Sequence, residues 1–254
     1  MHVLLVGYGA MGGALLKGWE IFCKVTIVDP FKQGCAKSID ELPASYYPNV
    51  IVIAVKPQML EQVMPAYTKF QNALFISIAA GMPSKHYAQW LGEKVRLSRV
   101  MPNLPVIVSQ GASAYVLNEN CTSNDDTIVS TLFEKVGIVE KLANENLFDA
   151  VTALSGSGPA YVYYLCECLE QAAIELGLEQ GFAKQFARQT IIGAAATLKE
   201  LPISAEELRA NVTSKGGTTE AALGVLMDNN HLQTLFLTTL KAAHRRAQEL
   251  AKLP

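Results

Sequence analysis

Three glycines near the start of the chain, Gly7, Gly9 and Gly12, have the spacing G-x-G-x-x-G, with Tyr8, Ala10 and Met11 between them. They follow a short apolar run, Val3-Leu4-Leu5-Val6, and open a stretch rich in helix formers, Ala10 to Trp19. Between a strand and a helix, such a motif suits a dinucleotide. The first glycine permits a tight turn, the second lets backbone approach a pyrophosphate, and the third allows close helix-to-strand packing. The helix start offers free N–H groups and a partial positive charge to phosphate oxygens. Asp29 ends the next apolar run, close to the roughly twenty-residue offset of a ribose-binding carboxylate. A carboxylate there repels a 2′-phosphate and points to NADH over NADPH. Two alternatives stay open. Asp29 precedes Pro30, a common turn pairing, and Lys32 lies near enough in sequence to receive a phosphate. Ala54-Val55-Lys56-Pro57 and Ile78-Ala79-Ala80-Gly81 fall where two further strands are expected to end. Small residues there let backbone pack against a nicotinamide ribose beyond the strands' carboxyl ends. Lys56 reads equally well as a solvated surface charge.

The second constellation is Val212-Thr213-Ser214-Lys215-Gly216-Gly217-Thr218-Thr219-Glu220. Two glycines precede two threonines and then a helical run. Such a turn presents successive N–H groups at a helix start, which suits a small carboxylate. A plain glycine loop with a threonine N-cap explains the same residues. The four histidines, His2, His86, His231 and His244, lie outside both motifs. There is no Tyr-x-x-x-Lys arrangement and no spacing of metal ligands, so no metal is expected.

The elements that must position these residues change character partway along the chain. Apolar runs at Val3–Val6, Val25–Val28, Val50–Val55, Ala73–Ile78, Val95–Val100 and Ala112–Leu117 alternate with helical patterns. Continuous apolar runs mark strands buried on both faces, and their alternation with helices predicts βαβ units and a largely parallel sheet. The connection from Asp29 to Val50 is short for a full helix. From about residue 145 onward no strand is expected. Leu147 to Leu176 reads as helix broken at Ser155-Gly156-Ser157-Gly158-Pro159, followed by Phe182–Leu201, a helix capped by Ser204 with Glu207 reaching back, Ala221–Met227 and His231–Ala251. The expected division is an α/β dinucleotide-binding domain over residues 1–146 and an all-helical domain over 147–254. Ile191-Ile192-Gly193-Ala194-Ala195-Ala196 belongs to a helix apolar around most of its circumference. A helix of that kind must be buried, and so small a domain predicts burial against a second copy, the alternative being an ordinary compact bundle.

Composition narrows the function classes. Half of the 254 residues are hydrophobic, 17% are charged, and the net charge is −2. Nothing basic argues for a nucleic-acid partner. Met1 to Leu16 is apolar but lacks a basic leader, and no uninterrupted apolar run reaches the roughly 18 residues of a membrane span. Cys23, Cys35, Cys121, Cys166 and Cys168 are odd in number and irregular in spacing, which predicts reduced thiols and a cytoplasmic protein.

Taken together, the chain resembles the pyrroline-5-carboxylate reductase family. The resemblance rests on GYGAMG at Gly7 to Gly12, AVKP at Ala54 to Pro57, SIAAG at Ser77 to Gly81, RVMPNLP at Arg99 to Pro105, ALSGSGPAY at Ala153 to Tyr161 and VTSKGGTTEAAL at Val212 to Leu223. The first of these is shared with many reductases; the last two are more specific. The resemblance implies a Rossmann domain followed by a helical domain that forms an interlocked homodimer, in some members a ring of dimers. It implies reduction of 1-pyrroline-5-carboxylate to L-proline, the last step of proline biosynthesis, by hydride from NADPH or NADH. It further implies cofactor contacts at Gly7 to Gly12, Ala54 to Pro57 and Ile78 to Ala80. Substrate contacts are implied at Ser214, Gly216, Gly217, Thr218 and Thr219, facing the cofactor of the partner subunit. Lys215 stands where the family usually has proline. A cyclic iminium is already electrophilic, so little general-acid help is needed; the Thr219 hydroxyl is the expected catalytic group, hydrogen-bonded to the ring nitrogen. Two rivals share parts of the pattern. A β-hydroxyacid dehydrogenase would need a general-acid lysine, for which Lys184 and Lys199 are available. A non-catalytic dinucleotide-binding redox sensor would have no use for Val212 to Thr219.

Overall fold

The computed structural model describes residues 1–251. Its first part runs β1 (His2–Val6), α1 (Ala10–Trp19), β2 (Lys24–Val28), β3 (Val50–Ile53), α2 (Leu60–Val63), β4 (Leu74–Ser77), α3 (Ser84–Leu91), β5 (Arg96–Met101), β6 (Gly111–Leu117), α4 (Ser123–Glu134) and β7 (Gly137–Lys141). The strands form one sheet in the order β2-β1-β3-β4-β5-β6-β7. All neighbours are parallel except β5 and β6. The chain moves outward from β1 to β2, then returns to the other side of β1 for β3. That reversal leaves a crevice beyond the carboxyl ends of β1 and β3, where open α/β sheets take their ligands.

Both faces of the sheet are covered, which is why its strands read as unbroken apolar runs. Leu4, Val6, Ile51, Ile53, Phe75 and Leu97 enter one core with Tyr87 and Met64. Val3, Leu5, Val50, Val52, Leu74 and Ile76 enter the other with Leu15, Trp19 and Phe133. There the Trp19 indole N–H donates to Leu132 O at 2.8 Å, so the one polar atom of a fully buried ring is satisfied.

All six expected strands are present, within two residues at each end. β7 was not expected. It is an edge strand whose Ile138 is 67% exposed, and it lacks the apolar run on which the other strands were recognised. The connection from β2 to β3 holds only a short 3₁₀ turn, Ile39–Glu41, and a bridge between Val28 and Ala36, as its length required. At α4 Thr122 and Asp125 form a full reciprocal capping box. Only half of the box expected at Ser204 is made: its hydroxyl accepts from Glu207 N at 3.1 Å, and the return bond is not formed.

The later chain is helical: α5 (Phe148–Val151), a π-helical turn Thr152–Gly156, α6 (Gly158–Glu175), α7 (Gln180–Glu200), α8 (Ala205–Asn211), α9 (Thr218–Met227) and α10 (His231–Leu250). The expected break at Ser155–Pro159 is thus a π turn closed by Ser157 N donating to Thr152 O at 2.9 Å. Its cause is local. In an α-helix Ser155 O would accept from residue 159, which is proline and has no N–H. Asn103 Nδ2 supplies that donor instead, at 3.2 Å.

The described chain forms two compact units. One is Met1–Pro159 with the chain from Ala242 on, and the other is Ala160–Lys241. The second unit has almost no core of its own. α6 and α9 contain no buried residue, and α7 buries only Ala183 and Ala187. Tyr164, Leu235 and Val225 are 66%, 61% and 75% exposed. No helix among the described residues is long and apolar enough to cross a membrane.

Candidate active site

The glycine loop sits in the crevice beyond β1 and β3. Gly7 has φ +96°, and a Cβ there would lie 2.7 Å from Ala54 O. Its N–H donates to Val28 O at 2.9 Å, while Ala54 N donates to Val6 O at 2.8 Å. Three strand ends are thereby tied to one turn. A Cβ on Gly12 would lie 2.5 Å from Gly7 O, so α1 can approach the turn only without one. Gly9 is different: a Cβ there meets nothing within 4 Å. It is the N-cap of α1, with no side-chain cap on the helix start. Protein packing explains Gly7 and Gly12. Gly9 leaves open space in front of uncapped N–H groups, a cradle that fits a phosphate.

A cavity of about 450 Å³ opens on this loop. Of the expected cofactor residues, Gly7, Gly9, Asp29, Ala54, Val55 and Lys56 line it, joined by Lys37 and Ser38 from the turn after β2. Tyr8, Ala10, Met11, Gly12, Pro57, Ile78, Ala79 and Ala80 do not. Tyr8 and Met11 pack partly into the core beneath, and Pro57 starts a 3₁₀ turn. Lys56 is exposed.

Asp29 is held by backbone. Oδ2 accepts from Tyr8 N at 2.7 Å, and Oδ1 accepts from Phe31 N at 2.8 Å and Lys32 N at 3.0 Å. Burial alone would raise its pKa, but these three N–H groups and the Lys37 charge hold it below the ordinary carboxylate value. The residue both builds the turn before Phe31 and fixes the glycine loop. Lys32 Nζ lies over the Tyr8 ring, 4.2 Å from its centre.

Ile78 and Ala80 are half-buried at the end of β4 and Ala79 is buried. Ile78 N donates to Ile53 O at 3.1 Å, and Ala79 N donates to Ser77 Oγ at 3.2 Å. Ser77 Oγ is hydrogen-bonded in turn to the buried Tyr87 hydroxyl, whose pKa burial pushes up to about 12.

The second loop belongs to the other compact unit. Gly216 has φ +72° with open space around it, and Gly217 is the N-cap of α9, without a side-chain cap. A Cβ on Gly217 would lie 2.5 Å from Ser214 Oγ. Gly217 N donates to Ser214 O at 3.0 Å, and the Glu220 carboxylate accepts from Gly216 N at 2.7 Å. Ser214, Lys215, Gly216 and Thr218 are exposed; Gly217 and Thr219 are half-buried. α9 starts with uncapped N–H groups, as α1 does. Sequence reasoning missed the Glu220 bond, although its place three residues after an N-cap is a capping signal. It also gave no role to Asn103, which accepts from Ala112 N at 2.8 Å and donates to Ser155. Lys184 and Lys199, the lysines a hydroxy-acid rival would use, are exposed. Among the described residues, no group of three His, Cys, Asp or Glu side chains is arranged to hold a metal ion.

A mostly parallel sheet with this glycine loop at its switch point defines the class: a Rossmann-type protein with an added helical unit. Comparison with known proteins narrows it. Residues 145–250 match the family model for pyrroline-5-carboxylate reductase dimerisation. The pyrroline-5-carboxylate reductase of Pseudomonas aeruginosa is 33% identical over an alignment 266 positions long, covering 99% of this chain and 97% of that protein. The structure of the Coxiella burnetii pyrroline-5-carboxylate reductase superposes with a TM-score of 0.89 at 32% identity, covering 99% of this chain and 98% of the other. That of Plasmodium falciparum pyrroline carboxylate reductase, with NADP bound, gives 0.87 at 29% identity, covering 99% and 98%. The chain belongs to the pyrroline-5-carboxylate reductase family.

Proposed function

We propose that this chain reduces 1-pyrroline-5-carboxylate to L-proline, taking hydride from a nicotinamide dinucleotide held by its first unit. The observation that carries the cofactor assignment is Gly9: between two glycines that packing demands, it faces open space beside uncapped N–H groups. Gly7 to Gly12 hold the pyrophosphate, with Tyr8, Ala10 and Met11 shaping the loop. Ala54 to Pro57 and Ile78 to Ala80 receive the nicotinamide end. Bound there, the dinucleotide supplies the hydride.

The chain's own residues orient the reactants and exclude water. The backbone at Gly217 to Thr219 holds the substrate carboxylate at the uncapped start of α9, with Ser214 and Gly216 completing the loop around it. The Thr219 hydroxyl hydrogen-bonds the ring nitrogen and is the catalytic residue. Asp29 is an ionised carboxylate on the cavity wall, with lone pairs left for ribose hydroxyls, so NADH is favoured over NADPH. Lys32 and Lys37 are the cations that would oppose this preference.

The active form is a homodimer. Helices that leave Tyr164, Phe186, Ile192, Val225 and Leu235 exposed in the single chain need a second copy to cover them, and the matched family model is a dimerisation domain. Functionally the chain divides into the dinucleotide-binding residues 1–146 and the substrate and dimer residues 147–254, with each substrate loop facing the partner's cofactor. Five unpaired cysteines suit the cytoplasm.

The direct test is to mix the purified protein with pyrroline-5-carboxylate and follow absorbance loss from NADH and NADPH separately, with proline measured as product. Proline formed in step with cofactor oxidation, faster with NADH, is the expected result. A protein that binds dinucleotide yet forms no proline would overturn the substrate assignment.

A further inference from the structure

Arg99 is a cation buried in the sheet. It lies on β5 with 5% of its surface exposed, and its register neighbours are Ser77 on β4 and Val116 on β6. Its guanidinium is ion-paired with Glu145 and lies 4.4 Å from the centre of the Phe148 ring. Glu145 Oε1 also accepts the N–H and the hydroxyl of Ser84, each at 2.9 Å, at the first residue of α3. Burial would raise the Glu145 pKa, but Arg99 and Ser84 hold it below the ordinary value.

With Arg99 buried and the Glu145 side chain 35% exposed, desolvation of the one and solvent screening of the other leave the pair little net stability. What this pair holds in place is a turn. Residues 78–83 run from the Ser77–Tyr87 hydrogen bond at one end to Ser84, gripped by Glu145, at the other. Ala80 packs against the cluster of Phe148, Met101 and Val116, and Arg99 lies over the Phe148 ring of that cluster. Gly81 has φ +73°, and a Cβ there would lie 3.0 Å from Leu250 Cβ. The turn is therefore backed by the last turn of α10.

We propose that Arg99 and Glu145 are positioning residues for the dinucleotide, acting through the turn Ile78–Gly81 to shape the subsite that receives its nicotinamide end. This rests on the reading of Ile78 to Ala80 as cofactor contacts. It accounts for a buried cation and its carboxylate partner that hydride transfer itself does not use.

The test compares full-length wild type with Glu145→Gln and with the paired apolar replacement Arg99→Met, Glu145→Leu. Dinucleotide dissociation constants come from fluorescence titration, the KM for pyrroline-5-carboxylate at saturating cofactor from kinetics, and Tm from melting. Both variants are expected to bind dinucleotide about tenfold more weakly, the scale of one lost charge-assisted hydrogen bond, with the imine KM within about twofold and the paired variant melting near wild type. Arg99→Lys, which keeps the charge, is expected to recover part of the loss. Unchanged dinucleotide affinity in the folded paired variant would overturn the inference. So would failure of that variant to fold, which would make the pair structural. Wild-type protein that binds no dinucleotide would instead overturn the cofactor reading beneath it.

Discussion

Two glycine loops open two helices in this molecule, and they differ in what surrounds them. At Gly7 to Gly12 three strand ends, Asp29 and the body of α1 close around the loop, and two of its three glycines are forced by protein atoms. At Ser214 to Thr219 the loop is tied by bonds to its own neighbours, Gly217 N to Ser214 O and Gly216 N to the Glu220 carboxylate, and most of it is exposed. Both helices start with N–H groups that no side chain caps. One loop is enclosed within a single unit of a single chain. The other is preformed but bare, as a loop would be that completes its surroundings only against a second copy.

The sharpest way to break this comparison is at Gly9. Gly9→Val should abolish dinucleotide binding, by a hundredfold or more in a titration, while leaving Tm near wild type, because a Cβ at this position has no protein atom within 4 Å. Gly12→Val should instead destabilise the fold by about 1–3 kcal/mol, the usual range for overpacking, because its Cβ lands on Gly7 O. If both variants melt early, Gly9 is a packing residue and the cradle is lost. Next in size is the dimer. Leu235→Glu places a charge on an exposed apolar helix face and should yield monomer in sedimentation, with imine reduction lost and dinucleotide binding kept. At the bare loop, Thr219→Ala should lower kcat/KM by about tenfold, the scale of one hydrogen bond at the reacting centre, without moving the dinucleotide dissociation constant. The smallest effect is at Asp29. Its folded-state pKa lies below its unfolded value, so its contribution to stability is present at neutral pH and is lost as pH falls through and below the ordinary carboxylate range. Asp29→Asn should flatten that acid limb in a pH series of melting curves and shift the NADPH-to-NADH rate ratio upward. An unchanged ratio would leave Asp29 as a turn residue only.

Much of this was legible in the residues. The buried strands announced themselves because a sheet covered on both faces needs apolar side chains at every position, and the glycine spacing located the crevice because β1 sits at the switch point. β7 escaped because an edge strand with one side in solvent carries no such run. The Arg99–Glu145 pair escaped for a different reason: its members are 46 residues apart, and a charge inside an apolar strand has no local partner to reveal it. The π turn was readable as a break at Ser155–Pro159, but its satisfaction by Asn103 is a tertiary fact. Glycines reveal where backbone must bend or approach closely, not what approaches; only the empty space beside Gly9 separates a ligand from packing.

The central claim is that one cofactor loop and the partner subunit's substrate loop make one active site. It is tested by mixing two inactive variants, Gly9→Val and Gly217→Val, under conditions that exchange subunits. If the loops meet across the dimer, each mixed dimer contains one site with both loops intact, and imine reduction should rise well above the sum of the two parents. If both loops serve the same chain's site, every site in the mixture carries a lesion. Activity that stays at the parental level, in a mixture shown to contain mixed dimers, would contradict the account.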